Sequence, residues 1–515
     1  MQKVVLLLMS LLLVTSCLKD DDYTTSANDK LTFSRDTVAV DTIISGTPSK
    51  TYSLTIYNQA DKAIRIPQIM LGKGGSSPFY VNADGTQLVN GVANDFEIAR
   101  KDSMIVYVMA NIPASDADDA VAVEDKLCFQ TESGLMQEVV LTAQGQNVIT
   151  LSGMRISQNT TLNATKPYRV MDSLVVERGA ELTLAPGTRF LFHNKAALIV
   201  HGTLHIDGSR EKPVTLRGDR LDLMFKNQPY DRTPGLWDGI VLKSQSYGNT
   251  INYADIHSST NGLCADSSDI SRSKLKMENS IIHNTTNHAL NLRMANVFVG
   301  NSQITNAGGD CVHVRGGDVS LVHCTVGRFY VFTGGYGHAL DFANFDGDVR
   351  LPLHNLYVAN SIVTGYQDDE IIGGQNTKFE NDAFNYNFAY SLLDTPQPKE
   401  PDDRIESCLW DTRSTDQAEA DSIVHDKNFT PAFNVDHLLF YFTLSPYSPA
   451  VGQASPSISQ QYYPYDRTGA PRTARPDMGC YNHAETTETP KLTTTAAPHV
   501  SSTHCVQSLK PKRKE

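Results

Sequence analysis

The chain has 515 residues, with 44 Lys and Arg against 57 Asp and Glu, for a formal net charge of −13. That length allows two or three domains. The acidic balance argues against a nucleic-acid partner and leaves no basic patch for a membrane surface.

Residues 1–16 carry Lys3, the apolar run 4–14 and small residues before Cys17. The apolar run is well short of the roughly 18–20 residues that a spanning helix needs, so it reads as a signal peptide. The ending Leu13-Val-Thr-Ser-Cys17 resembles a bacterial lipobox. The resemblance implies cleavage before Cys17 and lipidation of Cys17; the alternative is an ordinary signal followed by an incidental cysteine. Several acyl chains on one residue give stable anchoring where one is marginal. An acidic tether, 17–29, follows. Its Lys19-Asp-Asp-Asp22 resembles the export signal of Bacteroidota-type surface lipoproteins. The resemblance implies an outer-membrane lipoprotein facing the cell exterior, against the plainer reading of a solvated tether.

Residues 30–150 alternate with a period of two in Leu31-Thr-Phe33, Tyr52-Ser-Leu-Thr-Ile56, Ile64-Arg-Ile66, Ile105-Val-Tyr-Val108 and Val139-Val-Leu141. Turn residues at Asn58, Gly74-Gly75 and Asp84-Gly85 separate them. Several short alternating strands in one stretch predict an Ig-like β-sandwich. The segments Leu31-Thr-Phe-Ser-Arg-Asp-Thr-Val38 and Leu141-Thr-Ala-Gln-Gly-Gln146 resemble the N-terminal domain of the same lipoproteins, where it would act as a stalk.

From 151 a phrase recurs. It starts at Tyr253, Asn279, Asn301, His323, Asn360 and Tyr390, with steps of 26, 22, 22, 37 and 30 residues. A strand-sized unit at this period marks a solenoid. The expected fold class is all-β: an Ig-like sandwich, then a right-handed parallel β-helix over 151–455. Gly179-Ala-Glu-Leu-Thr-Leu-Ala-Pro-Gly-Thr188 and Gly235-Leu-Trp-Asp-Gly-Ile240 resemble the opening coils of the pectate-lyase-like β-helix superfold. Residues 456–484, with Asp466-Arg-Thr-Gly-Ala-Pro-Arg472, resemble the end of the lipoprotein group and would cap the solenoid's last strand edge. Residues 485–515 are Thr/Pro-rich, then basic, and read as a disordered tail.

Period two places Ser280/Ile282, Ser302/Ile304, Cys324/Val326 and Ser361/Val363 inside. Asn279, Asn301 and Asn360 share one slot and predict a stacked amide ladder. A second phrase, Asn261-Gly-Leu-Cys-Ala-Asp266, His288-Ala-Leu-Asn-Leu-Arg293, Asp310-Cys-Val-His-Val-Arg315 and His338-Ala-Leu-Asp-Phe-Ala343, aligns outward columns. One column holds Cys264, Asn291, His313 and Asp341; the next holds Asp266, Arg293, Arg315 and Ala343. His288, Asp310 and His338 share the turn before the strand. Rungs lie about 4.8 Å apart, so His313 neighbours Asp341 and Arg293 neighbours Arg315, with Asp266 offsetting Arg293.

The candidate binding or catalytic face is therefore Arg293, His313, Arg315 and Asp341. Arginine forks suit carboxylate or sulfate groups, and a His beside a carboxylate suits proton transfer. Polysaccharide, including an acidic one, is the expected partner of a binding module. The alternatives are a polysaccharide lyase, with a hydrolase behind it, an adhesin or envelope spacer, or a plain solvated solenoid surface. Gly309-Asp-Cys-Val312 with Gly337-His338 faintly resembles polygalacturonase-type hydrolases, but the paired aspartates are reduced to one, which puts a two-carboxylate mechanism in doubt. No cofactor is expected. Asp346, Asp348 and Asp368-Asp-Glu370 hold oxygens suited to Ca²⁺, yet they read better as turns. With Cys17 lipidated, the seven remaining cysteines show no CxxC or CxxxC spacing, so neither a cysteine zinc site nor a disulfide framework is expected. Oligomeric state is not legible.

Overall fold

The computed structural model describes residues 22–163, 165–411, 428–430 and 433–483. The signal, Cys17 and the tail 485–515 lie outside the described residues. The first domain is a sandwich of two five-stranded sheets. One orders Leu31–Phe33, Tyr52–Asn58, Ser103–Ala110, Phe79–Ala83 and Thr86–Gln87, antiparallel throughout. The other orders Thr37–Ile44, Met136–Gln146, Val121–Gln130, Ile64–Leu71 and Val92–Ile98, with its first pair parallel. Alternation along Ser103–Ala110 turns Val106 and Val108 into a core shared with Leu54, Ile56 and Phe129, and leaves Ile105 and Tyr107 in solvent.

From Ile149–Leu151 the chain coils as a parallel β-solenoid, so the molecule is all-β throughout. Eleven strands form one sheet and seventeen another. The larger sheet is two stacks fused, because Leu290–Gly300 and Val312–Val322 are long enough to run through the bend between them. A coil thus passes from Ile281–Thr285 in the first stack, through the two halves of Leu290–Gly300 in the second and third, to Gln303–Ala307 back in the first. The interior is continuous apolar packing, from Ile156 through Leu204, Trp237, Leu290 and Val314 to Leu393.

The first residue of each recurring phrase sets the corner. Tyr253, Asn279, Asn301, His323, Asn360 and Tyr390 all have φ between 46° and 52°. That left-handed region is costly for most side chains and tolerated best by Asn, which explains the slot's composition. Past this corner, serine hydroxyls of the next rung accept buried backbone N–H groups. Ser280 serves Ala254 at 3.0 Å, Ser302 serves Ser280 at 3.1 Å, Ser361 serves Cys324 at 3.0 Å and Ser391 serves Ser361 at 3.1 Å. Each hydroxyl donates in turn to the carbonyl two residues back, as Ser361 does to Ala359 at 2.8 Å. Removing one hydroxyl strands a buried donor, so Ser361→Ala is expected to cost about 1–3 kcal/mol in urea denaturation. An unchanged midpoint would show that the serines do not hold the rungs together.

The amide ladder is shorter than the sequence predicts. Asn301 Nδ2 donates to Asn279 Oδ1 at 2.7 Å, and Asn279 Nδ2 to Asn252 Oδ1 at 2.8 Å. Asn360 stands apart because His323 occupies the intervening rung. Its amide donates to the Ser455 carbonyl at 3.0 Å and accepts the Ser455 N–H at 2.8 Å, at the start of helix Pro456–Tyr462.

Among the described residues the last solenoid strand is Leu409–Trp410, short of the 455 boundary read from sequence. The described part of the C-terminal segment lies along the solenoid's flank rather than over its last strand edge. Tyr463 donates to Glu278, Arg472 to Asn301, and the Gly479 N–H to the Asn360 carbonyl. A second apolar cluster, including Phe329, Ile362, Phe429, Phe442 and Met478, seals this strap to the first stack. The 37-residue step holds two excursions. Residues 329–339 leave between Thr325–Arg328 and Leu340–Ala343, and the hairpin Phe345–Asp346 with Val349–Arg350 leaves before Leu353–Ala359. Both border the face considered next.

Candidate functional site

The second stack aligns the repeated phrase. Leu263, Leu290, Val312 and Leu340 are successive register partners with buried side chains, as are Ala265, Leu292, Val314 and Phe342. The residues between them face outward. Cys264 pairs in register with Asn291, Asn291 with His313, and His313 with Asp341. Arg293 pairs with Arg315, and Arg315 with Ala343, which is itself buried.

Side-chain partners differ from those expected of neighbouring columns. Arg315 grips Asp341 with both ends of its fork, at 2.9 and 2.8 Å. Such a bidentate pair is among the stronger charge-assisted contacts, and it neutralises both groups. Arg293 pairs with Asp346 on the neighbouring hairpin. Asp266 pairs with Lys243 at 3.2 Å and so does not offset Arg293. Of the acids considered for Ca²⁺, Glu370 is fully buried and accepts the Ala339 and Gln367 N–H groups, while Asp348 meets Lys378 at 3.5 Å. These acids act as turn and surface groups.

The carboxylate closest to His313 is Asp310, not Asp341. His313 Nδ1 lies 2.7 Å from Asp310 Oδ2 and 3.8 Å from Asp341 Oδ2. His288 Nδ1 lies 3.2 Å from the same Asp310 oxygen and accepts the Asp310 N–H at 3.0 Å. The His338 N–H donates to Asp310 Oδ1 at 2.8 Å, and the His338 ring lies 3.8 Å from that oxygen. Three imidazoles thus surround one carboxylate that is only 5% exposed. Burial opposes ionisation of Asp310, but the contacts with His288 and His313 and the His338 N–H outweigh it and hold the carboxyl below its usual range. Burial pushes His313 down against its hydrogen bond to Asp310, and the Arg315 charge pushes the same way, so the imidazole stays neutral at lower pH than a free histidine.

The excursion 329–339 walls this cluster. Tyr336 is 62% exposed, and its ring stands edge-on to His288 with centroids 6.2 Å apart. Tyr330 and Phe332 pack together beside it. The Tyr336 N–H donates to the Gly308 carbonyl, and the Arg328 guanidinium donates to the Gly308 and Gly309 carbonyls, which fixes the root of the loop. Sequence reasoning placed His288, Asp310 and His338 in one turn but missed Asp310 as the hub, and missed Tyr336 altogether. The available signal was the spacing Asp310-Cys-Val-His313, which lets a turn carboxylate fold back onto the first outward strand residue.

No family model matches the chain, and no curated protein matches it. Among solved structures, the chain is similar over 26% of its length to the ASH/PapD-like domain of human CEP192 (PapD-like domain 7), 96% of which is covered, at 13% identity and a TM-score of 0.17. It is similar over 25% of its length to 26% of a family 123 glycoside hydrolase from Clostridium perfringens, at 7% identity and a TM-score of 0.17. Likenesses of this size carry no functional inference.

Proposed function

We propose that the chain is an outer-membrane lipoprotein, anchored through Cys17 and facing the cell exterior, whose second stack binds an extended carbohydrate. One observation carries the ligand reading. Asn291, His313, Asp341, Arg293 and Arg315 form a ridge of fixed donors and acceptors at rung spacing, beside an exposed aromatic wall at Tyr336. Hydroxyl-rich chains are recognised by such polar rows, while an aromatic face covers the apolar side of a sugar ring. Both guanidiniums are already paired, so a neutral or weakly acidic glycan fits better than a densely charged one.

A second reading rests on a separate observation. The Asp310–His313 contact orients a neutral imidazole toward proton transfer, as a polysaccharide lyase would require. Affinity gels of residues 18–515 against neutral and acidic polysaccharides, read together with ultraviolet absorption of unsaturated products, separate the two. Retardation without turnover is expected, weakened about tenfold by Arg315→Ala or Tyr336→Ala. Turnover abolished by His313→Ala would establish the lyase. Silence in both channels would leave an adhesin or envelope spacer.

A further inference from the structure

Two clusters of imidazoles around a carboxylate occur among the described residues: Asp255 with His257 and His283, and Asp310 with His288 and His313. Their surroundings differ in charge. Arg217 there is already paired with Asp231 at 3.0 Å, but the Arg467 guanidinium also faces Asp255, which disfavours a cation there. Beside Asp310 the guanidinium is Arg315, and Asp341 already neutralises it. One uncompensated carboxylate therefore faces three imidazoles.

The potential donor atoms around Asp310 also cluster. His288 Nδ1 accepts the Asp310 N–H, so that nitrogen carries no proton, yet it stands 3.2 Å from Asp310 Oδ2. His313 Nδ1 stands 2.7 Å from the same oxygen. The two N–O separations compare with the roughly 3.3 Å edge of a tetrahedron whose bonds are about 2.0 Å, and all three donor atoms lie within 4.8 Å of one another. We propose that His288, Asp310 and His313 bind a transition-metal ion of the Zn²⁺ type, leaving a fourth position for water or for His338.

The donor set selects the ion class. Imidazole with a single carboxylate suits zinc and its neighbours, whereas Ca²⁺ needs six to eight oxygens that this turn does not supply. The outer shell of such a site is already in place. The His338 N–H fixes the far oxygen of Asp310, and the Arg315–Asp341 pair stands beside His313. His288 and His313 keep 18% and 16% of their side-chain exposure beside Tyr336. The imidazoles of His288 and His313 are stacked, with centroids 4.2 Å apart and planes 25° from parallel, so binding requires one ring to tilt, the Asp310 N–H to release His288, and His313 Nδ1 to give up the proton it shares with Asp310. No contiguous motif announces these ligands. His288 precedes Asp310 by one full coil, and only the stacking of rungs brings them together.

The site does not depend on the glycan reading, and its test contains no glycan. The full-length chain, stripped with a chelator and dialysed, is titrated calorimetrically with Zn²⁺ and separately with Ca²⁺. The expected result is one tight Zn²⁺ equivalent and no Ca²⁺ binding. His313→Ala and His288→Ala are each expected to weaken that equivalent by at least about 100-fold, while His257→Ala leaves it unchanged. Zinc X-ray absorption should show two imidazoles and an oxygen shell near about 2.0 Å. Near-ultraviolet circular dichroism checks that each variant is folded, and His288→Gln replaces His288→Ala if the latter is not. Folded wild-type chain that binds no Zn²⁺ overturns the proposal. So does a zinc equivalent that survives His313→Ala and His288→Gln, or one that is lost in His257→Ala.

Discussion

Trp237→Ala is expected to lower stability by about 3–5 kcal/mol and to loosen the N-terminal coils selectively. The indole is fully buried and stacks on Phe192 with centroids 4.2 Å apart and planes 11° from parallel. Phe192 packs on Phe190 of the same strand, and Phe190 on its register partner Tyr168 of the preceding coil, so aromatic contacts link these coils inside the solenoid. Trp237 Nε1 also donates to the His257 carbonyl at 2.8 Å. Truncation therefore opens a cavity and strands a buried acceptor at once. Solenoid coils contact only their neighbours, so the loss should stay local. Hydrogen exchange should accelerate in Phe190, Leu198 and Leu263 and their rungs, while Leu340 and Val363 keep wild-type protection. Uniform acceleration along the whole solenoid would contradict this picture, as would an unchanged urea midpoint. Trp237→Phe should fall between, since it keeps the stack and loses the hydrogen bond.

Acidification should undock the C-terminal strap before it unfolds the sandwich. His323 has no solvent exposure and sits between the Gly479 carbonyl, at 3.2 Å, and Ser459 Oγ, at 2.8 Å. Burial, then the nearby Arg472 charge, holds its pKa well below the ordinary value. The sign follows from linkage. Above about pH 6.5 neither the docked nor the released imidazole is charged, so the full docking energy is present. As pH falls below about 6.5 the released form takes up a proton that the docked form refuses, and stability is lost at up to about 1.4 kcal/mol per pH unit until the docked pKa is reached. His313 is depressed in the same direction, but its partners Asp310, Arg315 and His288 all lie in the solenoid, so it adds to the pH dependence of solenoid unfolding and not to that of strap release. Asp255, which faces Arg467 of the strap and whose pKa is lowered, contributes only further down, as pH falls from the ordinary carboxylate range toward its native value. His323→Asn keeps a residue suited to φ 52° and removes the titrating ring. Limited proteolysis of the strap between pH 7 and 5 should therefore rise steeply in the wild type and weakly in His323→Asn. Equal pH dependence in both would remove His323 from the mechanism.

Much of the fold was legible because a solenoid repeats its demands. The recurring phrase exposed the coils, and the period of two along Val312-His-Val-Arg315 separated core from surface, whereas the left-handed φ of the slot shared by Asn279, Asn301 and Asn360 emerged only in the structure. The register of His313 over Asn291 and under Asp341 could be read by aligning phrases, since one coil constrains the next. Side-chain pairing was not legible in this way. Arg293 finds Asp346 on a hairpin that belongs to no repeat, and His313 finds Asp310 because the preceding turn folds the carboxylate back. Excursions are unique insertions, and periodicity carries no information about them.

Composition, the phrase period and strand alternation by themselves determined an all-β chain with a sandwich followed by a stacked solenoid, and which residues line its interior. Those properties depend on local backbone geometry and on the burial of alternate side chains, both of which are written along the chain. Only the tertiary structure decided that Asp310 is a hub for three imidazoles, that both face arginines are neutralised, and that residues 433–483 strap the flank. Apart from the local Asp310–His313 contact, these rest on contacts between residues 20 to 200 positions apart, whose energies depend on distance and burial in three dimensions.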